Sequence, residues 1–341
     1  LEMAFNNKSS AERFLFTCYS FVPEHGKIGT DPGMDVGDEV WYYSDNSADY
    51  SNKTTFWIAK GMQNSNEPLV DYWNGTQWGK AMFVGIRDCN VFIENIEKVP
   101  DLSAYDKETW KAEAKVLKAF YHFWMMRMYG PIPIIKENIP VSAGEDEVRV
   151  VRDKIDDIVT YIVSLIDESV EYLPLNIQNE AAEMGRITRP AAKAIKAKIL
   201  AFAASPFFNG NLDYANFKNA EGEPFFNQVY DNEKWTKAAD ACLEAIQCAE
   251  EAGHGLYEFV NMSSTQLSDE TILSLSNRCK VTERWNKELV WGCGQSGIRD
   301  LQVLCQPWLE SNYSSDDRYH NARNGTFAPT LAVAETFYTK N

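Results

Sequence analysis

An aromatic-rich segment that stops abruptly at a glycine restricts the possible folds of this chain more than any other feature. The segment, EAKVLKAFYHFWMMRMYGPIPII, occupies residues 113–135. Large apolar residues follow one another here at alternating steps of four and three, which places them on one stripe of a helix. The stripe consists of Trp110, Ala114, Leu117, Tyr121, Trp124 and Met128. We therefore expect a helix over 104–129 whose aromatic side is buried.

The end of this helix is predicted by a glycine and the prolines that follow it. Gly130 can adopt the left-handed backbone conformation that terminates helices, and proline cannot continue a helix. A second stretch, GRITRPAAKAIKAKILAFAASPFFNGN at 185–211, has the same design, with Thr188 as its N-cap. The sequence therefore predicts a second well-delimited helix over 188–205.

The remaining apolar periodicity indicates further helices and almost no sheet. These helices are predicted at 8–22, 78–99, 150–172 and 233–252. Strict alternation of apolar and polar residues is nearly absent, apart from short extended pieces at 131–135 and 287–292. We expect a mainly α fold with two antiparallel helix pairs, the first formed by 78–99 with 104–129 and the second by 150–172 with 188–205. The stretch 23–77 is expected to be irregular.

A spacing typical of tetratricopeptide helices opens the helix at 233–252. This spacing has a large, a small, a small and a medium-sized residue in that order, and the small residues let paired helices approach closely. The residues that fit it are Trp235, Ala238, Ala239 and Cys242. A looser match is formed by Trp78, Ala81, Met82 and Gly85. The predicted architecture is therefore one of tetratricopeptide-like helix pairs with long irregular loop insertions.

Taken together, these segments resemble the SusD/RagB family of outer-membrane glycan-binding lipoproteins. The most specific parts are the helix that ends in YGPIP at 129–133 and the run from GR at 185–186 to AASP at 203–206, with VGIRDCNVFIENI at 84–96 in support. The resemblance extends over about residues 8–305. It implies a single SusD-like domain over 1–341, with a helical N-terminal part at 1–280 and the start of a C-terminal part at 281–341.

The resemblance also implies a function and a location. It implies non-catalytic binding of an oligosaccharide or polysaccharide at the cell surface, and delivery to a partner TonB-dependent outer-membrane transporter of the SusC type. Family members carry a lipid anchor upstream of the mature fold and continue into a long C-terminal part. We therefore expect this sequence to be truncated at both ends, and the anchor to lie outside it.

Charge and composition limit the partners and cofactors. A formal net charge of −16 repels polyanions, so nucleic acid is not an expected partner. The seven cysteines form no Cys-x-x-Cys pair, and none of the four histidines has a Cys or a carboxylate residue at metal-ligand spacing. An acidic stretch at 31–49 has no spacing of a known calcium loop and reads as a solvated loop. We expect no metal, no cofactor and structural or solvated histidines.

Aromatic residues in the loops are the candidate ligand-binding residues. The C–H face of a sugar packs on Trp or Tyr rings, while its hydroxyls need partners such as Asn or Asp. Two clusters supply both, one in 41–74 and one in 285–313, and the resemblance places a glycan site in loops of this order. The candidates are Trp41, Tyr42, Asp45, Trp57, Trp73, Asn74, Trp285 and Trp308. The alternative for each ring is a packing role over the helical core.

Two other classes of protein remain open at this point. Acidic, Trp-rich helical chains also fit glycoside hydrolases with an α/α toroid, which need two carboxylates about 5–10 Å apart. Asp316 with Asp317, or Asp45 with Asp49, could be nominated, but acids in such loops are usually solvated turn residues. A peptide-binding tetratricopeptide scaffold is the third class, and the long aromatic loops argue against it.

Overall fold

The computed structural model describes residues 2–24, 31–42, 57–77, 79–293 and 327–336. The chain divides into two compact units. The first unit comprises Leu1–Ser20 and Val84–Gly292, and the second comprises Phe21–Phe83 and Cys293–Asn341. The expected single domain over 1–341 stays a prediction.

The described part of the chain is mainly α-helical, as the sequence predicts. Its longer helices are α1 Lys8–Tyr19, α2 Met82–Asn95, α3 Ala104–Tyr129, α4 Ile155–Asp167, α5 Arg189–Ala204, α6 Glu233–Glu251 and α7 Asp269–Thr282. Shorter helical pieces occur at Glu2–Phe5, Pro32–Asp35, Ile96–Lys98, Glu145–Val148, Val170–Tyr172, Glu180–Glu183, Leu212–Tyr214 and Leu331–Thr336. The sequence did not predict α7, which has no buried residue.

Helix α3 is the centre of the first unit. The hydroxyl oxygen of Ser103 accepts a hydrogen bond from the Asp106 N–H at 3.0 Å to begin the helix, and Gly130, with φ of 69°, ends it. The expected burial of the aromatic stripe is confirmed, because its rings are at most 4% exposed. Burial also extends beyond the stripe to Lys118 and His122, which flank it. Helices α1, α4 and α5 all pack against α3, so it has almost no face left for solvent.

The two predicted antiparallel pairs are present. Lys107 of α3 donates to the carbonyl of Glu97, just beyond α2, at 2.9 Å. Burial raises the pKa of the Cys89 thiol in α2, and the charge of nearby Lys118 opposes that shift. An ion pair of 3.2 Å between Lys111 of α3 and Glu97 joins the same two parts of the chain. The end of α2 therefore lies beside the start of α3, and the two helices run in opposite directions.

The second pair is α4 with α5. An ion pair of 2.6 Å joins Lys196 in the middle of α5 to Asp167 at the end of α4. The guanidinium of Arg189, at the start of α5, donates to the carbonyl of Val170 at 3.2 Å. Helix α4 also packs on α3, with the rings of His122 and Tyr161 5.5 Å apart. The first unit is therefore a layered stack of antiparallel helices rather than two isolated pairs.

Helix α6 follows as the partner of α5. Ala238 and Ala241 are buried where the two helices approach each other, and Lys193 of α5 lies 3.6 Å from Glu244 of α6. Of the small and medium residues in the tetratricopeptide-like pattern, Ala238 alone is buried, whereas Ala239 and Cys242 are exposed, so the expected packing role is met by Ala238 only. Its large residue, Trp235, is 43% exposed.

The second unit contains the two described β-strands. Strand β1, Val40–Tyr42, pairs antiparallel with strand β2, Phe327–Pro329, so that Trp41 lies opposite Ala328. The side chain of Thr330 extends the pairing by donating to the carbonyl of Asp38 at 2.8 Å. Two segments far apart in sequence thus meet in this unit, whereas the described residues of 57–77 are largely irregular, as expected.

Candidate ligand-binding pocket

An open pocket of about 430 Å³ lies in the first unit. Its walls come from three stretches that are distant in sequence, at 176–188, 252–254 and 285–292. The first precedes and begins α5, the second follows α6, and the third follows α7. The volume falls in the range of small-molecule sites. The packing of the helices therefore brings three loops together around a cavity large enough for a small molecule.

Trp285 forms part of one wall in an unusual backbone conformation. Its φ is 56°, in the left-handed region that bulky side chains rarely adopt. The indole lies against two glycines: a Cβ added to Gly292 would be 3.1 Å from the ring, and one added to Gly185 would be 3.8 Å from it. The guanidinium carbon of Arg284 lies 5.8 Å from the ring centroid. Strained residues of this kind cluster at ligand sites, which makes Trp285 a functional candidate.

A second tryptophan ties the walls of the pocket together. The indole N–H of Trp291 donates to the carbonyl of Gly185 at 3.0 Å. Its ring also packs edge-on against Phe120 of α3, with the centroids 5.6 Å apart. The 285–292 wall is therefore fixed both to the 176–188 wall and to the central helix.

Buried charges fix the 176–188 wall to the same helix. Arg186 binds the carboxylate of Glu113 in α3 through two bonds, of 2.6 Å from Nη2 and 3.1 Å from Nε. The hydroxyl of Tyr19 in α1 donates to that carboxylate at 2.6 Å and accepts from the Ile187 N–H at 2.8 Å. Glu113 and Phe120 are seven residues apart, so they share one face of α3. One helix face therefore holds both walls.

The electrostatics of this cluster follow from burial and pairing. Burial alone would lower the pKa of Arg186, but the Glu113 carboxylate beside it raises that pKa well above its ordinary value. Burial raises the pKa of Tyr19, and the neighbouring Glu113 raises it further. Arg186 is therefore held in its charged form and Tyr19 remains a hydrogen-bond donor.

His254 presents a defined nitrogen in the pocket lining. Its Nδ1 lies 3.1 Å from the carbonyl oxygen of Lys287, and a carbonyl oxygen can only accept, so Nδ1 carries the hydrogen. In the neutral ring Nε2 is then an acceptor. His254 was expected to be structural or solvated, and its place in the pocket makes it a candidate that the sequence did not single out.

The predicted residues of the second unit occupy several environments. Trp41 in β1 and Trp57 are 41% and 40% exposed, and the Lys60 ammonium lies 5.0 Å from the Trp57 ring centroid. Trp73 packs edge-on against Phe83 at 4.9 Å, which gives it a packing role. The side-chain amide of Asn74 donates to the Asp71 carboxylate at 3.2 Å.

Some of the other predicted residues of these loops lie outside the described residues. Tyr42 is the last residue of β1. Asp45 and Trp308 lie outside the described residues, as do Asp49, Trp78, Asp316 and Asp317. The joint role expected of 41–74 and 285–313 in one ligand surface therefore stays a prediction.

The described residues also bear on metal binding and on membrane insertion. Within these ranges no group of three or more His, Cys, Asp or Glu side chains is arranged to hold a metal ion. No helix in the same ranges combines the length and apolar character needed to span a membrane.

The family of the chain is shown by comparison with known proteins. A model of the SusD-like family, described as starch-binding and associating with the outer membrane, matches residues 28–200, just over half of the chain. The chain belongs to this family. A SusD-like protein of Bacteroides ovatus is 31% identical over 99 residues, which are 29% of this chain and 16% of that protein.

Solved structures agree with the fold. The protein BT4246 is 28% identical, with a TM-score of 0.75 over 98% of this chain and 57% of its own. A SusD-like protein of Bacteroides fragilis, 16% identical, gives 0.63 over 96% of this chain and 52% of its own. The chain thus spans little more than half the length of these structures. The expected SusD-like, tetratricopeptide-like helical fold is confirmed.

Proposed function

We propose that this protein binds an oligosaccharide or polysaccharide at the bacterial cell surface without converting it. The proposal rests on family membership and on one observation, which is the strained Trp285 on the wall of an open pocket. An indole face offers the flat apolar surface that the C–H face of a sugar ring requires. Nε2 of neutral His254 accepts a hydrogen bond from a sugar hydroxyl.

Named relatives support carbohydrate as the ligand class. One structure with a TM-score of 0.52 over 80% of this chain is a laminarin-binding SusD-like protein, 17% identical. Another, with a TM-score of 0.60 over 97% of the chain, is surface glycan-binding protein A from Bacteroides uniformis, 16% identical. These likenesses establish the shared fold, and the names of the two proteins support carbohydrate as the proposed ligand class of this chain.

Delivery to a transporter and attachment to the membrane complete the proposed function. The family is described as associating with the outer membrane. We propose that a SusC-like TonB-dependent transporter receives the glycan, and that a lipid anchor upstream of this sequence holds the protein at the outer membrane.

Further sugar contacts are proposed in the second unit. The exposed rings of Trp41 and Trp57 are the best placed of the predicted loop residues, whereas Trp73 packs on Phe83. Tyr42, Asp45, Asn74 and Trp308 remain candidates on sequence grounds. Each is tested by the same binding assay as Trp285.

A hydrolase is the second candidate function, and the pocket disfavours it. Hydrolysis of a glycosidic bond needs a pair of carboxylates on either side of that bond. Glu180 is the single carboxylate among the described residues that line the pocket. Release of reducing sugar by the pure protein, followed over hours at high protein concentration, would contradict the non-catalytic part of the proposal.

The binding proposal is tested by isothermal titration with maltohexaose, laminarihexaose and a wider panel of oligosaccharides. Trp285→Ala should weaken binding about fivefold or more, which corresponds to about 1 kcal/mol for one stacked ring. The matched control is Trp235→Ala, which removes a tryptophan of α6 that does not line the pocket. Equal affinity of both variants and the wild type would place the glycan elsewhere.

A further inference from the structure

We propose that the pocket takes uncharged sugar units and discriminates against uronic-acid and sulfated ones. This inference rests on the proposed glycan binding and adds a ligand class to it. The supporting observation is that Arg186 is already paired and that the other charged groups of the lining have opposite charges.

Arg186 is the group in the pocket lining best suited to hold an anion, and it is engaged. A guanidinium recognises a carboxylate or sulfate through parallel N–H donors. In this protein Nε and Nη2 are directed to Glu113, and Nη1 donates to the Glu183 carboxylate at 2.7 Å. The Arg186 and Glu113 side chains are only 8% and 2% exposed. A ligand anion would have to displace either the buried Glu113 carboxylate or the partly exposed Glu183 carboxylate.

The other charged groups of the lining balance one another. Glu180 and Lys287 carry opposite charges, and both are exposed to solvent. The chain as a whole carries a formal charge of −16, which repels an approaching anion. Within the described lining, the charges of Glu180 and Lys287 cancel, so the lining offers no excess of positive charge to offset the cost of desolvating an anionic sugar. Arg284, beside the Trp285 ring, lies outside this lining.

The remaining features suit a neutral, hydroxyl-bearing ligand. Trp285 supplies an apolar surface, and Asn176 and His254 supply neutral polar groups in the lining. Nε2 of neutral His254 is an acceptor, which pairs with a hydroxyl hydrogen and repels a carboxylate oxygen. These groups pair with hydroxyls, which neutral and acidic sugars both carry, whereas the acceptor Nε2 offers no partner to the carboxylate or sulfate of an acidic sugar.

The test compares hexasaccharides of similar size by isothermal titration at low and physiological salt. Maltohexaose and laminarihexaose represent neutral glucans, and a galacturonate hexamer and a chondroitin sulfate hexasaccharide represent acidic ones. The wild type should bind a neutral hexasaccharide at least tenfold more tightly than either acidic one. Glu183→Gln removes one carboxylate from Arg186 and leaves Glu113 in place, so it should strengthen acidic binding severalfold and leave neutral binding unchanged.

Two controls assign the effect to the pocket. Glu244→Gln removes an equal charge from α6, outside the pocket lining, and should leave both affinities unchanged. Trp285→Ala should weaken the binding of the ligand that the wild type prefers. Tighter binding of an acidic hexasaccharide by the wild type, lost in Trp285→Ala, would overturn the inference while the proposed function stands. Failure to bind any glycan of the wider panel would contradict the proposed function itself, and the inference with it.

Discussion

Helices α3 and α6 both follow helical periodicity in the sequence, but they differ in how many of their residues are buried. Of the 26 residues of α3, 16 are buried, whereas only three of the 19 residues of α6 are. Each helix contains tryptophan and charged residues at helical spacing. The difference arises because several helices pack around α3, while α6 packs on α5 mainly through its small residues. Periodicity thus predicts that a helix forms, and the number of packing partners decides how much of it is buried.

Charged residues on the two helices show the same contrast. Glu113 of α3 is buried in a bidentate pair with Arg186, and Glu244 of α6 makes a longer, partly exposed contact with Lys193. The buried pair holds the wall of the candidate pocket to α3. The contrast therefore separates a helix that is joined to the candidate pocket through a buried charge pair from one whose ion pair is partly exposed.

The largest expected effect is on the core of α3. Trp124→Ala should lower the free energy of unfolding by about 3–5 kcal/mol, because it leaves a cavity where a fully buried indole stood. Trp235→Ala in α6 should cost less than about 1 kcal/mol, since that ring is 43% exposed. Urea unfolding followed by circular dichroism measures both. Similar losses for the two variants would mean that α6 is as deeply packed as α3.

The next effect concerns the buried charge pair. Glu113→Gln should lower the free energy of unfolding by roughly 3 kcal/mol, because the buried Arg186 charge loses its buried counterion and keeps only the partly exposed Glu183 carboxylate. Glu244→Gln should change the unfolding free energy by about 0.5 kcal/mol or less, as expected of an exposed ion pair. The same urea experiment applies, and a neutral result for Glu113→Gln would show that the cluster is open to water.

The pH dependence of stability tests whether the centre of α3 is sealed. Burial lowers the pKa of His122 from its ordinary value of 6.5 to about 4. The unfolded chain therefore takes up this proton first, so stability is complete above about pH 6.5 and is lost as the pH falls through 4. The loss should reach roughly 2–3 kcal/mol between pH 7 and pH 4.

The variant His122→Asn isolates this contribution. It should be less stable than the wild type at pH 7, because the bonds of the ring to Lys118 and Ile135 are changed. Its unfolding free energy should nevertheless fall less steeply on acidification. An unaltered slope in urea unfolding at stepped pH values would show that His122 does not govern this part of the profile.

The smallest effect concerns the helix starts. The Ser103 hydroxyl caps α3, whereas the side chain of Asn232 makes no capping bond at the start of α6. Ser103→Ala should therefore lower the free energy of unfolding by about 1 kcal/mol, and Asn232→Ala by a few tenths. Thermal unfolding of the two variants, measured in parallel, would contradict this account if Asn232→Ala cost more.

The sequence predicted best those helices whose ends are encoded locally. Thr188 caps α5 as expected, with its hydroxyl oxygen 3.4 Å from the Ala191 N–H, and Gly130 ends α3. The predicted helix at 150–172 is shorter in the structure, Ile155–Asp167 followed by a single turn. Its end is set by the buried Ser169 hydroxyl, which donates to the Leu165 carbonyl at 2.6 Å. That contact depends on burial, which apolar periodicity does not show.

The pocket was only partly predictable from the sequence. The sequence predicts Trp285 as a candidate because it is a loop aromatic, and Trp285 lies on the pocket wall. His254 and Asn176 were missed, because they are 31 and more residues away and ordinary in their local sequence. Their role follows from helix packing, which brings the three loops together. A glycine on each side of Trp285's ring, at 185 and 292, was the available signal for a close approach of the backbone.

The central claim is that a neutral glycan binds against Trp285. Fluorine NMR of protein labelled with 5-fluorotryptophan tests it directly, with the Trp285 and Trp235 resonances assigned from the two alanine variants. Titration with the neutral oligosaccharide that binds most tightly should shift or broaden the Trp285 resonance in a saturable way and leave Trp235 unchanged. Saturable binding in the same tube without any change at Trp285 would contradict the account and move the glycan site out of this pocket.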